Sequence, residues 1–312
     1  VRVPESCDGA YLNQNIVRIV PNKTIVNDYL YYSLKANRFY EYCVIRGQGA
    51  ANQASITLDT IFRFKFDAHK KEKQLKIAEI FSAYDNLIEN NNKRIKLLEQ
   101  MAENLYKEWF VRFRAPATPC IENGISKGWI VSSRTEDKIP SGFEYCELNK
   151  IGSFQRGRNI TASEMIAGDI PVISAGLQPS GYHSNANVKG RSLTISASGA
   201  NAGYLQYNLS DVWAADCSYY QNDTNIWFVY CTLKFLQPVI SNLQCGAAQP
   251  HVYTKNINRL CILKPTDEWI ARFNSTVAPF FDEIDVLRKK NDSLVKQRDL
   301  LLPRLMSSKL EV

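Results

Sequence analysis

Three histidines in 312 residues leave little with which to hold a metal. His69, His183 and His251 lie far apart. The eight cysteines (Cys7, Cys43, Cys120, Cys146, Cys217, Cys231, Cys245, Cys261) include no CxxC pair, so no zinc set forms from sequence neighbours and no metal site is expected. That spacing fits reduced, mostly buried thiols of a cytoplasmic protein. No G-x-x-x-x-G-K-[ST] phosphate loop occurs, and "GQGAAN" (Gly47 to Asn52) lacks the third glycine of a dinucleotide turn. No NPPY-like methyltransferase tetrapeptide and no PD…(D/E)xK nuclease cluster stands out. No apolar run approaches the roughly 18 residues of a membrane span, so no membrane partner is expected. No secretory leader is visible, although the chain opens at Val1 without a methionine. These gaps argue against catalysis in this chain.

What is present is a modest excess of positive charge and a repeat. Net charge is +7 with a pI near 8.9, which suits an anionic partner without demanding one. A hydrophobic content of 45% supports ordinary cores, and the length suits about two domains. "GAANQ" (Gly49 to Gln53) returns as "GAAQ" (Gly246 to Gln249), which settles at an offset of 196 residues. At that offset Ile61 meets Ile257, Arg63 meets Arg259, and Phe66 meets Ile262, in what read as short strand-like runs. A long charged segment follows each. In the first, apolar residues recur at steps of four and three through Ile77, Phe81, Tyr84, Ile88, Ile95, Leu98, Ala102, Leu105 and Trp109. The same shift gives Phe273, Val277, Phe280, Ile284, Leu287, Asn291, Leu294, Arg298, Leu301 and Leu305, apolar apart from Asn291 and Arg298. Heptad seams of this length predict coiled-coil packing, and one asparagine interrupts each, Asn91 and Asn291, as a device for fixing register.

The predicted fold is α+β, with two globular pieces alternating with two long helices that pair as an antiparallel coiled coil. Residues 1–66 form the first piece, 67–113 the first long helix, and 114–141 a connector rich in Pro, Ser, Thr and Gly. Residues 142–264 form the second piece and 265–312 the second long helix. "DIPVISAG", "RSLTISASG", "TNIWFVYC" and "NRLCILKP" read as strands, and Phe235 to Leu243 as a short helix. "TNIWFVY" resembles "QNIVRIV" (Gln14 to Val20), so the first piece corresponds to the later half of the second and its beginning is expected to be missing.

Here a family resemblance becomes specific. "AEIFSAYDNLIENNNKRIKLLEQMAENLYKEWFVRF" (Ala78 to Phe113) is similar to the central conserved region of specificity (S) subunits of type I restriction–modification enzymes. "IPSGFEYCELNKIGSFQRGRNIT" (Ile139 to Thr161) resembles the opening of a target-recognition domain in that family, and the distal "FFDEIDVLRKKNDSLVKQRDLLLPRLMSSKL" its C-terminal conserved helix. The resemblance implies a DNA-recognition subunit whose two target-recognition domains (here the first one partial) read a bipartite double-stranded target. It also implies two methyltransferase subunits and restriction/translocase subunits as partners. S-adenosylmethionine and ATP with Mg would belong to those partners, with no cofactor in this chain. Trp109, Phe110 and Phe113 would then dock a partner or pack on the chain's own domains.

Reading DNA needs phosphate clamps and polar side chains aimed at base edges. Candidates are Arg156, Arg158 and Asn159 in "FQRGRNIT", Lys189 and Arg191 in "NVKGRS", Asn201 in "SGANAG", and Tyr219 and Tyr220 in "DCSYYQND". Arginine can bond guanine, and asparagine adenine, through two hydrogen bonds at once. The first piece offers Arg46, Gln48 and Gln53, with Gln249 corresponding to Gln53. Two other readings stay open on the residues alone: the recognition module of a single-chain restriction–modification enzyme, and a coiled-coil assembly scaffold.

Overall fold

A computed structural model describes residues 3, 7, 9–13, 16–47, 55–114, 140, 142–245 and 250–311. The connector (114–141) and the "GAANQ"/"GAAQ" pair fall almost wholly outside them. In chain order come α1 (Asn27–Lys35), α2 (Asn37–Arg46), α3 (Leu58–Phe62) and the long α4 (Lys71–Tyr106), which ends in a π-helical turn, Lys107–Val111. Then follow β1 (Glu144–Glu147), β2 (Gln155–Arg156), β3 (Ile170–Ile173), β4 (Gly181–His183) and β5 (Ser192–Ser196). The remainder is β6 (Leu205–Asn208), β7 (Trp213–Ala214), β8 (Cys217–Tyr220), α5 (Ile226–Phe235), α6 (Gln237–Ser241), α7 (Thr254–Asn258), β9 (Cys261–Lys264) and the long α8 (Asp267–Met306). This is a mixed helix and sheet fold with two long helices. The chain divides into two compact units inside both long helices: residues 1–95 with 286–312, and residues 96–285.

The first unit is built on α1. Asn22 opens it with a local turn, its Oδ1 accepting from the Thr24 backbone N–H (3.1 Å) and hydroxyl (2.7 Å). Gln74, buried on α4, accepts from the Val26 N–H (2.8 Å) and donates to the carbonyls of Thr24 (3.2 Å) and His69 (2.7 Å). It thereby satisfies a backbone donor at the start of α1, where no intrahelical partner exists. Tyr29 and Tyr32 of α1, Ile77, Ala78 and Phe81 of α4, and Leu302 and Leu305 of α8 form the core. Asp85 lies at its edge, accepting from Arg298 (2.7 Å) and Tyr32 (2.9 Å). Asn91 Nδ2 donates to Asn291 Oδ1 (2.8 Å), and Asn291 Nδ2 to Asn92 Oδ1 (2.9 Å). The partners' numbers sum to 382 or 383, so α4 and α8 run in opposite senses here.

The second unit adds sheets. β2-β8-β5-β6 is antiparallel throughout, with Thr194 opposite Tyr219 and Gln206. β4-β3-β7 joins an antiparallel and a parallel pair, and β1 pairs antiparallel with β9. β5 (SLTIS) is buried along its whole length, as expected for a central strand covered on both faces. Against β5 and β6 lies α5.

Four expectations are corrected. "TNIWFVYC" is not a strand but the start of α5, buried from Ile226 to Leu233. A run apolar all round has no period by which helix and strand can be told apart, and its β-branched and aromatic content favoured the wrong one. The runs around Ile61 and Ile257 are the short helices α3 and α7, and only the second is followed by a strand, β9. The counterpart of α5 is α1, not residues 14–20, of which 16–20 lie in no helix or strand. Finally, the long helices are related by 200 residues and not 196: Phe81 matches Phe281, which is fully buried, whereas Phe280 is half-buried. The difference of four is about one helical turn, so a 3.6-residue period alone could not reveal it.

Candidate nucleic-acid interface

β2 is the edge of the four-stranded sheet, and its residues Gln155 and Arg156 face solvent. The turn that follows depends on Gly157. A Cβ there would come within 2.4 Å of the Ala215 carbonyl oxygen and 2.7 Å of that of Ala214, both backbone atoms that cannot step aside. Three hydrogen bonds hold the turn: Gly157 N–H to Cys217 (2.8 Å), Arg158 N–H to Ala214 (2.9 Å), and the Trp213 indole N–H to the Arg158 carbonyl (2.9 Å). The backbone is thus fixed while the Arg158 and Asn159 side chains stand exposed.

Arg156 is held differently. Its Nη2 is ion-paired with Oδ1 of Asp216, and the other oxygen of that carboxylate accepts from the Ser198 hydroxyl. The side chains are 41% exposed for Arg156 and 23% for Asp216. Burial is the largest influence on Asp216 and raises its pKa, yet the hydrogen bonds from Ser198 and Arg156, with the charges of Arg156 and His251, leave the carboxyl below its usual range. Asp216 therefore stays ionised near neutral pH. Ser198 is bridged by the backbone to His251, and Gly199, with φ +75°, turns the chain beyond it.

The other candidates divide sharply. Lys189 is exposed, and its carbonyl accepts from the Gln221 amide. Arg191 is ion-paired with Asp282 of α8 and lies 5.9 Å from the Trp227 ring centroid. Asn201 is half-buried in a 3₁₀ turn, its carbonyl accepting from the Tyr204 N–H (2.9 Å). Tyr219 is half-buried and donates to Gln155 Oε1 (2.7 Å). Tyr220 corrects the expectation of an exposed reader: strand alternation turns it inward, 4% exposed, stacked on Phe154 and donating to Asn225 (2.7 Å). In the first unit Arg46 is exposed over the Tyr42 ring, 4.1 Å from its centroid. Gln48, Gln53 and Gln249 lie outside the described residues.

The aromatic exit of α4 is also redefined. In the π-helical turn, closed by the Arg112 N–H on the Lys107 carbonyl (2.8 Å), Trp109 and Phe110 are each only 4% exposed. Trp109 meets Trp269 and Phe273 edge-on, at 5.9 and 5.6 Å, while Phe110 meets Phe228 and Phe273 at 5.1 and 5.3 Å. Both residues belong to the second unit's own core, where their rings bury most area. Phe113, with φ 53°, is half-buried against Phe143.

Sequence reasoning missed Asp216 and Ser198. Both stood in polar loops already singled out, but no pattern links residues 60 and 42 positions from Arg156. Among the described residues no group of three or more His, Cys, Asp or Glu is placed to hold a metal ion, and no helix is long and apolar enough to cross a membrane.

Comparison with known proteins gives one family. The sequence model for the type I restriction modification DNA specificity domain matches residues 5–100 and 140–294. The specificity subunit of the type I restriction enzyme MjaIX from Methanocaldococcus jannaschii is 26% identical, over 96% of this chain and 73% of that protein. That of HindI from Haemophilus influenzae is 23% identical, over 99% and 83%. In structure, the S subunit of a type I restriction–modification system from M. genitalium aligns with a TM-score of 0.57 at 19% identity, covering 91% of this chain and 74% of that one.

Proposed function

The chain belongs to the family of type I restriction modification DNA specificity domains, and from that premise we propose that it is the non-catalytic subunit that reads DNA sequence for its complex. It directs two methyltransferase subunits, and with them restriction/translocase subunits, to a bipartite double-stranded target in the cytoplasm. S-adenosylmethionine, ATP and Mg act in those partners. α4 and α8 pair as an antiparallel coiled coil that carries the recognition domains, and Asn91 and Asn291 set its register. Their hydrogen bond, between the two long helices, supports that role.

The observation that carries the reading is the exposed basic edge at β2, where Arg156, Arg158 and Asn159 leave a turn whose backbone is fixed by Gly157. Rigid backbone with polar side chains aimed outward is what base-edge recognition demands. Lys189 supplies phosphate contact, and Arg46 does so from the first unit. A titration of duplex DNA against the purified chain at increasing salt tests the reading. Affinity should fall on a log–log plot with a slope of about −0.9 for each phosphate neutralised. A flat line would leave a protein-assembly scaffold as the better account. Methylome sequencing of cells carrying this gene and its methyltransferase then reports the bases read.

A further inference from the structure

Two arginines two residues apart leave the same turn, and the structure treats them oppositely. Arg156 is tied through one nitrogen to Asp216, whose second oxygen is occupied by Ser198, so the carboxylate cannot swivel away. The Asp216 carbonyl also accepts from the Ala197 N–H (3.2 Å), which anchors the residue through its backbone. Arg158 has no ion pair or side-chain hydrogen bond among the described residues, and Glu164 lies only within electrostatic reach of it.

From this geometry we infer that Arg156 reads a guanine, that Asp216 and Ser198 are its positioning residues, and that Arg158 holds phosphate. The inference rests on the DNA-reading function proposed above and assigns roles within it. Bidentate contact with guanine O6 and N7 is favoured when the guanidinium is positioned before DNA arrives. A guanidinium has five N–H donors, and Asp216 engages one nitrogen of Arg156, leaving the remaining donors to present an outward edge. Part of the side chain's freedom is already lost before DNA arrives, so less is lost on binding. Charge points the same way. Arg156 with Asp216 is a neutral pair, a weak attractor of phosphate but still a directional donor. Arg158 keeps an exposed positive charge, and phosphate contact needs charge more than a fixed plane.

The test is selection from a library of duplex oligonucleotides with a randomised segment, using the full chain, followed by affinity measurements on the enriched sequences across a salt series. Wild type should enrich guanine at a defined position. Arg156→Ala and Asp216→Ala should each lower the preference at that same position by about tenfold or more, leaving other positions unchanged. Ser198→Ala should do so more weakly. Arg156→Lys, which keeps the charge at an exposed site and so does not endanger folding, should lose the guanine preference while keeping the salt slope. Arg158→Ala should weaken every sequence alike and flatten the salt slope by about one unit. The assignment is overturned if Arg156→Lys retains the preference, if folded Asp216→Ala leaves it intact, or if Arg158→Ala is the variant that alters a base. A wild-type chain that binds DNA tightly but enriches no sequence would instead sink the DNA-reading function itself, and this assignment with it.

Discussion

The two units dock a short helix on a long one by the same device, executed twice with different residues. Asn22 accepts from Thr24, and Asn222 accepts from Thr224, in matching local turns with backbone contacts of 3.1 and 3.0 Å. A buried carboxamide on the long helix then takes a backbone N–H at the start of the short one. Gln74 serves Val26 (2.8 Å), and Asn274 serves Trp227 (2.9 Å). The same carboxamides donate back, to the carbonyls of Thr24 (3.2 Å) and Asp223 (3.1 Å). Ser33 and Thr232 each return a hydroxyl to the carbonyl four residues earlier, both at 2.8 Å. What differs is the cover. α5 is buried all round beneath β5 and β6, whereas α2 and α3 expose Tyr40, Val44, Ile45 and Phe62. The turn, the carboxamide and an aromatic contact are therefore common to both dockings. The sheet contributes burial beyond that.

Removing the aromatic contact should have the largest effect. Phe281 stacks on Trp227 with ring centroids 3.6 Å apart, and Phe81 meets Tyr32 at 5.2 Å. Phe281→Ala and Phe81→Ala should each cost about 3–5 kcal/mol, seen as faster amide exchange in α5 and in α1 respectively. If Phe81→Ala leaves α1 protected, the two units are not held by the same device.

Next comes Asp85, a feature of the first unit. Burial is the strongest influence and pushes its carboxyl up, but hydrogen bonds from Arg298 and Tyr32 and the charges of Lys35 and Arg298 together hold it below the usual range. A depressed folded pKa gives stability that is present above the unfolded value of about 3.9 and is lost as pH falls through the folded one. Arg298→Met should cost about 1.5–3 kcal/mol at neutral pH. Urea midpoints should show the gap to wild type holding from neutral pH down to about pH 4 and closing below it; a gap of constant size would assign the loss to packing.

The carboxamides test the comparison most directly. Gln74→Ala and Asn274→Ala should each cost about 1–3 kcal/mol, because each leaves a buried backbone N–H without its partner. Thermal melts should also show Gln74→Asn and Asn274→Gln to be nearly as harmful, since each amide is fitted to its own depth. The smallest effect is expected at the seam. Asn291→Ala should cost about 1 kcal/mol by leaving the buried Asn91 amide short of an acceptor. An unchanged melting temperature there would mean that water replaces it.

Much of this was legible in the sequence because periodicity and turn chemistry are local. The four-and-three spacing from Ile77 onward gave α4, and "RSLTISASG" gave β5. The exposed turn at Arg158 and Asn159 followed from a strand running into a glycine. What local pattern could not supply was whatever depends on surroundings. "TNIWFVYC" becomes a helix because sheet and long helix enclose it on all sides, and no period survives such burial. Tyr219 and Tyr220 are adjacent and chemically alike, yet strand alternation turns the second into the core. For Trp109 and Phe110 the residues alone left partner docking and packing on the chain's own domains both open, and only the fold places Phe228 and Phe273 against them. The sequence by itself determined the family and the long helices, and showed that a repeat exists without fixing its offset. Only the tertiary structure decided which of two arginines is held and which is loose, because Asp216 and Ser198 reach Arg156 through strand pairing, and pairing between distant segments leaves no trace in the spacing of residues.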